Sequence, residues 1–344
     1  YQAYLRGVAL LGAADFSRET IARTIQMFER AIALDPDFAQ AYARLSAAHS
    51  RSIHYGFDRS EARSQRARVL AERALELAPD LPEAHLALGL YHYSVHRDHA
   101  RALAALEEAR RRGGSAAEVL QAMGYVRRRQ GDLAGAADAL EASLALDPLN
   151  AATHVALGET RGTLRRYDQS IGDLERAISL APDQAYPYTE LALVHLRRGG
   201  DTARARAVLA DIPVSVGTEP CRVGYLVELL DRRHAAALAR LDGCDEVALE
   251  AGVFYRPVAL LRAMVHRLQG DAAAARAAFT AARDHLAPRI VDDPGDHRLH
   301  AALGLALAGL GERTGALRHA EEAVTLYPPG RDALESPTLR IDLA

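Results

Sequence analysis

His92, His96 and His99, within the stretch HLALGLYHYSVHRDH, are the closest grouping of metal-capable side chains in this sequence. On an unbroken helix His92 and His96 would stand one turn apart (i, i+4), bringing two imidazoles toward one borderline cation, with His99 a turn further on. Two features oppose that chemistry. A turn between helices is expected at His96 to His99, which breaks the shared face, and no HExxH pattern accompanies it. No metal and no other cofactor is expected.

Other reactive groups are equally sparse. Cys221 and Cys244 are the two cysteines, 23 residues apart with no CxxC spacing, and read as reduced thiols rather than a disulfide or a zinc site. There is no phosphate-cradling glycine loop, no Ser-His-Asp order and no nucleophile elbow, so the chain is not expected to be an enzyme. Arginine pairs and triplets recur at 110–112, 127–129, 165–166, 197–198 and 232–233. Near helix C-termini such cations complement the helix dipole, and they read as solvated caps. The competing reading is a ladder of guanidinium forks facing an acidic partner.

Composition narrows the partners. All 42 basic residues are Arg and the net charge is −3, which gives no global basic field for a polyanion. With no Trp and sparse aromatics, nucleic acid is not an expected ligand. The absence of Lys beside abundant Ala and Leu suggests a GC-rich bacterial gene. No apolar run is long enough to span a bilayer and no signal peptide is present, so a cytoplasmic protein without a membrane segment is expected. The chain starts at Tyr1 rather than Met, and flanking segments are expected to carry any catalytic or membrane parts.

These residues must be positioned by a repeat. EASLALDPLN closes on Pro148 and ERAISLAPDQ on Pro182, one 34-residue period apart, and the phrase returns at Pro36, Pro79 and Pro328. Each proline cannot continue a helix and so separates one repeat from the next. Gly131-Asp132, Gly270-Asp271 and Gly311-Glu312 supply the turn inside a pair. Gly89, Gly124, Gly158 and Gly304, with Ala at 136 and 316, let paired helices approach closely.

The pattern resembles the tetratricopeptide repeat: an aromatic, Leu-Gly and Tyr on a first helix, then Ala, Phe and a closing Pro. In 151–184 the matching residues are His154, Leu157-Gly158, Arg161, Ser170, Leu174, Ala177 and Pro182; segments 117–150 and 297–330 fit the same register. His85, His154 and His300 fall at the aromatic place, and His49, His92, His195 and His266 at the Tyr place, so half of the histidines read as structural. The expected fold is all-α, a right-handed superhelical solenoid of about nine antiparallel helix pairs. Repeats one to six are expected in 1–213, a degenerate pair in 214–252, repeats eight and nine in 253–330, and a truncated further helix in 331–344.

In this family the first helices line a concave surface, and the resemblance implies which residues face it. In the early repeats they are Arg44, Leu86, Leu90 and Tyr93, followed by Gln121, Tyr125 and Arg128. Further on they are Val155 and Glu159, then Tyr186, Thr189, Glu190 and Arg197. The groove has neither the Lys and Asn clamp of chaperone-binding members nor the Asn ladder of glycosyltransferase-linked members. Tyr and aliphatic groups flanked by Arg and Glu suit an extended peptide or an amphipathic helix.

The expected function is a non-catalytic protein-interaction scaffold binding a peptide or protein partner in that groove. The opening and closing phrases resemble bacterial tetratricopeptide regions that follow kinase, cyclase or DNA-binding effector domains. That implies the alternative, a regulatory module acting on a signalling effector outside this segment. Self-association through the unpaired C-terminal segment is a further expectation. The period fails at 50–64, 213–252 and 283–294, and those interruptions mark what is particular to this chain.

Overall fold

Why the chain breaks into helix pairs is visible at each turn. Gly131 takes a left-handed backbone (φ 89°) that an L side chain resists, and Asp132 then caps the next helix by accepting the Gly135 N–H at 2.9 Å. Asp98, Asn150, Asp201, Asp271 and Asp296 cap in the same manner. The computed structural model describes residues 1–12, 18–213, 218–244, 247–251, 254–328 and 332–333. Over these residues the protein is all-α, with eighteen α-helices packed as helix-turn-helix pairs and one small β-hairpin.

The chain divides into two compact units, 1–164 and 165–344. The first holds the pairs α1 (Gln2–Gly12) and α2 (Arg18–Leu34), α3 (Ala39–His54) and α4 (Glu61–Leu77), α5 (Pro82–Tyr91) and α6 (His99–Arg111), α7 (Ala116–Gln130) and α8 (Leu133–Leu146), then α9 (Ala151–Thr163). The second begins with α10 (Tyr167–Leu180). It continues with α11 (Ala185–Gly199) and α12 (Thr202–Ala210), α13 (Thr218–Leu230) and α14 (His234–Asp242), α15 (Val258–Gln269) and α16 (Ala272–Asp292), and α17 (His297–Leu310) and α18 (Arg313–Leu326). Most of the segment read as a truncated further helix, 331–344, lies outside the described residues.

Paired helices meet through their smallest residues. A Cβ added to Gly124 would stand 2.7 Å from Leu140 Cγ, and one on Gly89 would stand 2.9 Å from Leu106. Both leucines are fully buried, so the missing side chain is what lets each pair close. The histidines at the aromatic place do more than fill space. His85, His154 and His300 bring Nε2 to 3.0, 3.2 and 3.1 Å from the carbonyl oxygens of Pro79, Pro148 and Pro294, each six residues earlier. Tyr188 hydroxyl donates to Pro182 in the same way at 3.1 Å. The imidazole supplies a donor that ties the start of a first helix to the turn before it.

Three local features depart from the sequence reading. The residues from 80 to 114 run one longer than the 34-residue period, and the extra residue is absorbed as a π-helical turn over His92–His96. After α14 the chain forms a hairpin of β1 (Ala248–Ala251) and β2 (Phe254–Pro257), antiparallel with Leu249 opposite Arg256. Leu249 is buried and Glu250 exposed, the alternation of a half-buried strand. The expectation of two reduced thiols is also corrected. Cys221 on α13 and Cys244 just after α14 form a disulfide, their Cα atoms 6.2 Å apart, because the two helices double back and cancel the 23-residue separation.

Candidate functional site

The two irregularities of the first unit meet at one place. The insert at 50–64 carries α3 to His54 and turns through Tyr55, Gly56 and Phe57. It is tied down along its length. Arg18 donates to the Phe57 carbonyl at 2.5 Å and lies 5.2 Å from that ring's centre, while Asp58 accepts from the Ser60 N–H at 2.9 Å and from Arg63 Nε at 2.7 Å. Those bonds hold the Asp58 carboxyl at about 2. From the other side the π turn ends on Arg97, which adopts a left-handed backbone (φ 54°).

His54 is the centre of the arrangement. Its ring stacks on Tyr93 (centroids 5.2 Å apart) and meets Tyr55 edge-on at 5.2 Å. Arg97 places a guanidinium nitrogen 3.3 Å from His54 Nδ1 and its CZ 5.5 Å from the centre of the Tyr93 ring. Burial pushes the His54 imidazole well below its ordinary value, and the positive charges of Arg97, Arg129, Arg128 and Arg51 push it further. Arg128 and Arg129 are 9% and 8% exposed. The triplet at 127–129, read from sequence as a solvated cap, therefore turns two of its members into the protein. Arg128 pairs with Glu159 on α9, and Arg51 reaches back to the Leu11 carbonyl of α1 at 2.5 Å.

Two tyrosines share these surroundings. Tyr55 keeps 39% of its surface accessible, while burial pushes its phenol up to about 12. Tyr125, half-buried on α7, is raised by the same cause and senses Tyr55, Arg51, Arg128 and Glu159. An open cleft, of about 490 Å³, lies between α2, α3 and α4; it offers Ile32, Val69 and Leu70, with a rim that includes Arg73 and Glu76, which pair with each other.

The groove residues read from sequence fall into three groups. Tyr125, Arg128 and Glu159 belong to the surroundings of His54 and Tyr55, with Tyr93, 4% exposed, stacked on His54. Arg44 on α3 pairs with Glu118 on α7, two repeats along, and Gln121 on α7 donates to Thr153 Oγ1 of the next first helix, α9, at 2.5 Å. Leu86, Leu90 and Val155 are used in packing. Tyr186, Thr189, Glu190 and Arg197 all lie on α11 of the second unit. Tyr186 and Arg197 are exposed there, while Thr189 and Glu190 are buried. His54, Tyr55, Arg51, Arg97 and Arg129 were not among the groove candidates; the interrupted period at 50–64 covers Arg51, His54 and Tyr55, the triplet at 127–129 contains Arg129, and Arg97 had no signal.

The histidine trio does not gather. His96 Nε2 is held by the Tyr91 hydroxyl at 2.8 Å, and among the described residues no group of three His, Cys, Asp or Glu side chains is arranged to hold a metal. No described helix is long and apolar enough to cross a membrane.

Comparison with known proteins agrees with the helix-pair architecture. Yeast Tom70 superposes with a TM-score of 0.60 at 14% identity, covering 96% of this chain and 87% of its own. The human IFIT1 dimer with m7Gppp-AAAA gives 0.56 at 15% identity, covering 95% and 71%. These likenesses speak to fold alone. A search of the curated proteins finds no match. The tetratricopeptide repeat model matches residues 93–151 and 155–216. Over those residues the sequence is similar to tetratricopeptide repeats.

Proposed function

We propose that this chain is a non-catalytic scaffold that binds a segment of a protein or peptide partner along the first helices of its repeats. The observation that carries this reading is the aromatic and cationic cluster of the first unit. There Tyr55 stands open to solvent and Tyr125 half-buried beside guanidinium groups, near helices braced by Arg44–Glu118 and Arg128–Glu159. Accessible tyrosines on a rigid frame are the groups that supply most of the affinity in protein recognition, because they bury large area at little rotamer cost. The human IFIT1 dimer structure is with m7Gppp-AAAA. In this chain the net charge of −3 and the absence of Trp favour a peptide instead.

A photo-crosslinking amino acid at Tyr55 tests the reading in cells, with the same group at the exposed Leu146 as control. Defined protein adducts from position 55 that are missing from position 146 are the expected result. Equal capture at both positions, or none at 55, would count against this face as the binding surface.

A further inference from the structure

The degenerate pair α13 and α14 is closed by a covalent bond. Cys221, in the first turn of α13, is joined to Cys244, just past the end of α14. Both cysteines pack on the buried cluster of Tyr225, Leu241 and Leu261, which also takes Leu249 of β1. The bond therefore ties together the two ends of a helix pair at the point where the chain leaves for the hairpin.

One of the two sulfurs can be reached. A cleft of about 340 Å³ opens between α14, the hairpin, α15 and α16, bounded by Cys244, Val247, Val258, Arg262, Ala281 and His285. That is within the size range of small-molecule sites. Among the described residues Cys244 is on its wall and Cys221, across the bond, is not.

We propose that this cleft admits a low-molecular-weight thiol, which exchanges with the disulfide at Cys244 and so releases β1. The incoming thiolate attacks Cys244 Sγ and forms a mixed disulfide there. The bond to Cys221 breaks, and its electron pair leaves on Cys221 as a thiolate. A thiolate in the first turn of a helix is favoured by the dipole, and a stabilised leaving thiolate speeds exchange. A second thiolate then attacks the sulfur of the bound thiol, freeing Cys244 and yielding the oxidised thiol dimer. Two thiols thus supply the two electrons that reduce the pair. A cleft of this size has no room for a folded protein reductant, and the proposal does not rest on the scaffold reading.

The test is reduction of the oxidised full chain by glutathione under native conditions, acid-quenched and mapped by mass spectrometry. The mixed disulfide is expected mainly on Cys244. Ala281→Trp, which fills the cleft from an exposed position on α16, should slow its formation about tenfold. Val291→Trp, exposed farther along the same helix, should not. Amides of β1 should exchange hydrogen faster once the pair is reduced. Circular dichroism melts verify that both tryptophan variants are folded. Should Ala281→Trp unfold, Cys221→Ser and Cys244→Ser give the same reading: oxidised glutathione should modify the first, at Cys244, faster than the second. Adducts shared equally or confined to Cys221, or a rate indifferent to Ala281→Trp, overturn the cleft as the point of attack. Unchanged exchange at β1 overturns the release. A chain whose thiols stay free in oxidised glutathione overturns the pair itself.

Discussion

The two units treat buried charge differently. In the second, Glu228 and Arg298 are buried ions with their complements built in. Glu228 is met by Arg206 at 3.1 Å and Arg233 at 3.4 Å, and Arg298 by Asp296 at 2.6 Å and by Glu250 of the hairpin at 2.7 Å. In the first, Arg128 is matched by Glu159, whereas the half-buried Arg97 turns to His54 and the face of Tyr93 and, among the described residues, pairs with no carboxylate. Matched ions brace one kind of site; a cation beside aromatic rings is held by their faces instead. Both units use the same helix pairs, so the difference lies in side chains and in where the period is interrupted.

The largest expected effect comes from breaking a matched set. Arg298 and Asp296 side chains are 8% and 10% exposed, and Asp296 also caps α17 through the Arg298 N–H at 2.9 Å. Asp296→Ala leaves the buried Arg298 one carboxylate fewer, with Glu250 still in reach, and opens the cap, and should lower unfolding stability by about 2–4 kcal/mol in denaturant titration. A loss below about 1 kcal/mol would mean that the second unit does not depend on matched charge.

A smaller effect belongs to pH. Burial and the neighbouring Arg63 and Arg66 hold His49 down at about 4 against an ordinary 6.5, and His54 is depressed in the same direction. The unfolded chain then takes up protons at a pH where the fold refuses them, so stability is full above about 6.5 and falls as pH drops toward 4. Thermal melts should show a decline equivalent to about 2–3 kcal/mol for His49 across that window. His49→Gln should flatten it; an unchanged slope would move the titration to another group.

The smallest effect on stability is expected at Arg97. Replacing it with Gln removes one like charge from a crowded set and relieves a cation near His54, so melts should shift by less than about 1 kcal/mol in either direction. A loss as large as that of Asp296→Ala would erase the contrast between the two units and make Arg97 a structural ion.

The helix pairs were legible because prolines and glycines punctuate them at fixed spacing, and Tyr125, Arg128 and Glu159 were legible because they fall at register positions. His54, Tyr55 and Arg97 were not. They lie in an insert and at a turn, where register has no meaning and position is set by packing. The hairpin escaped notice because its strands are only 4 residues each, too short for alternation to stand out. The disulfide was hidden for a related reason: spacing along the chain says little until α13 and α14 fold back and bring Cys221 to Cys244.

The tie between His300 and Pro294 reaches further than one helix start. For Nε2 to donate to the Pro294 carbonyl it must carry the proton, which leaves Nδ1 as an acceptor. That atom lies 3.0 Å from Nδ1 of His319, so His319 must be protonated there and bare at Nε2, where Arg318 donates at 3.2 Å. One proline carbonyl thus orders the protons of two imidazoles and the direction of every bond from Arg318 on α18 to the turn before α17. An added proton has no acceptor in that chain: it breaks either the imidazole pair that joins α17 to α18 or the bond from Arg318 within α18.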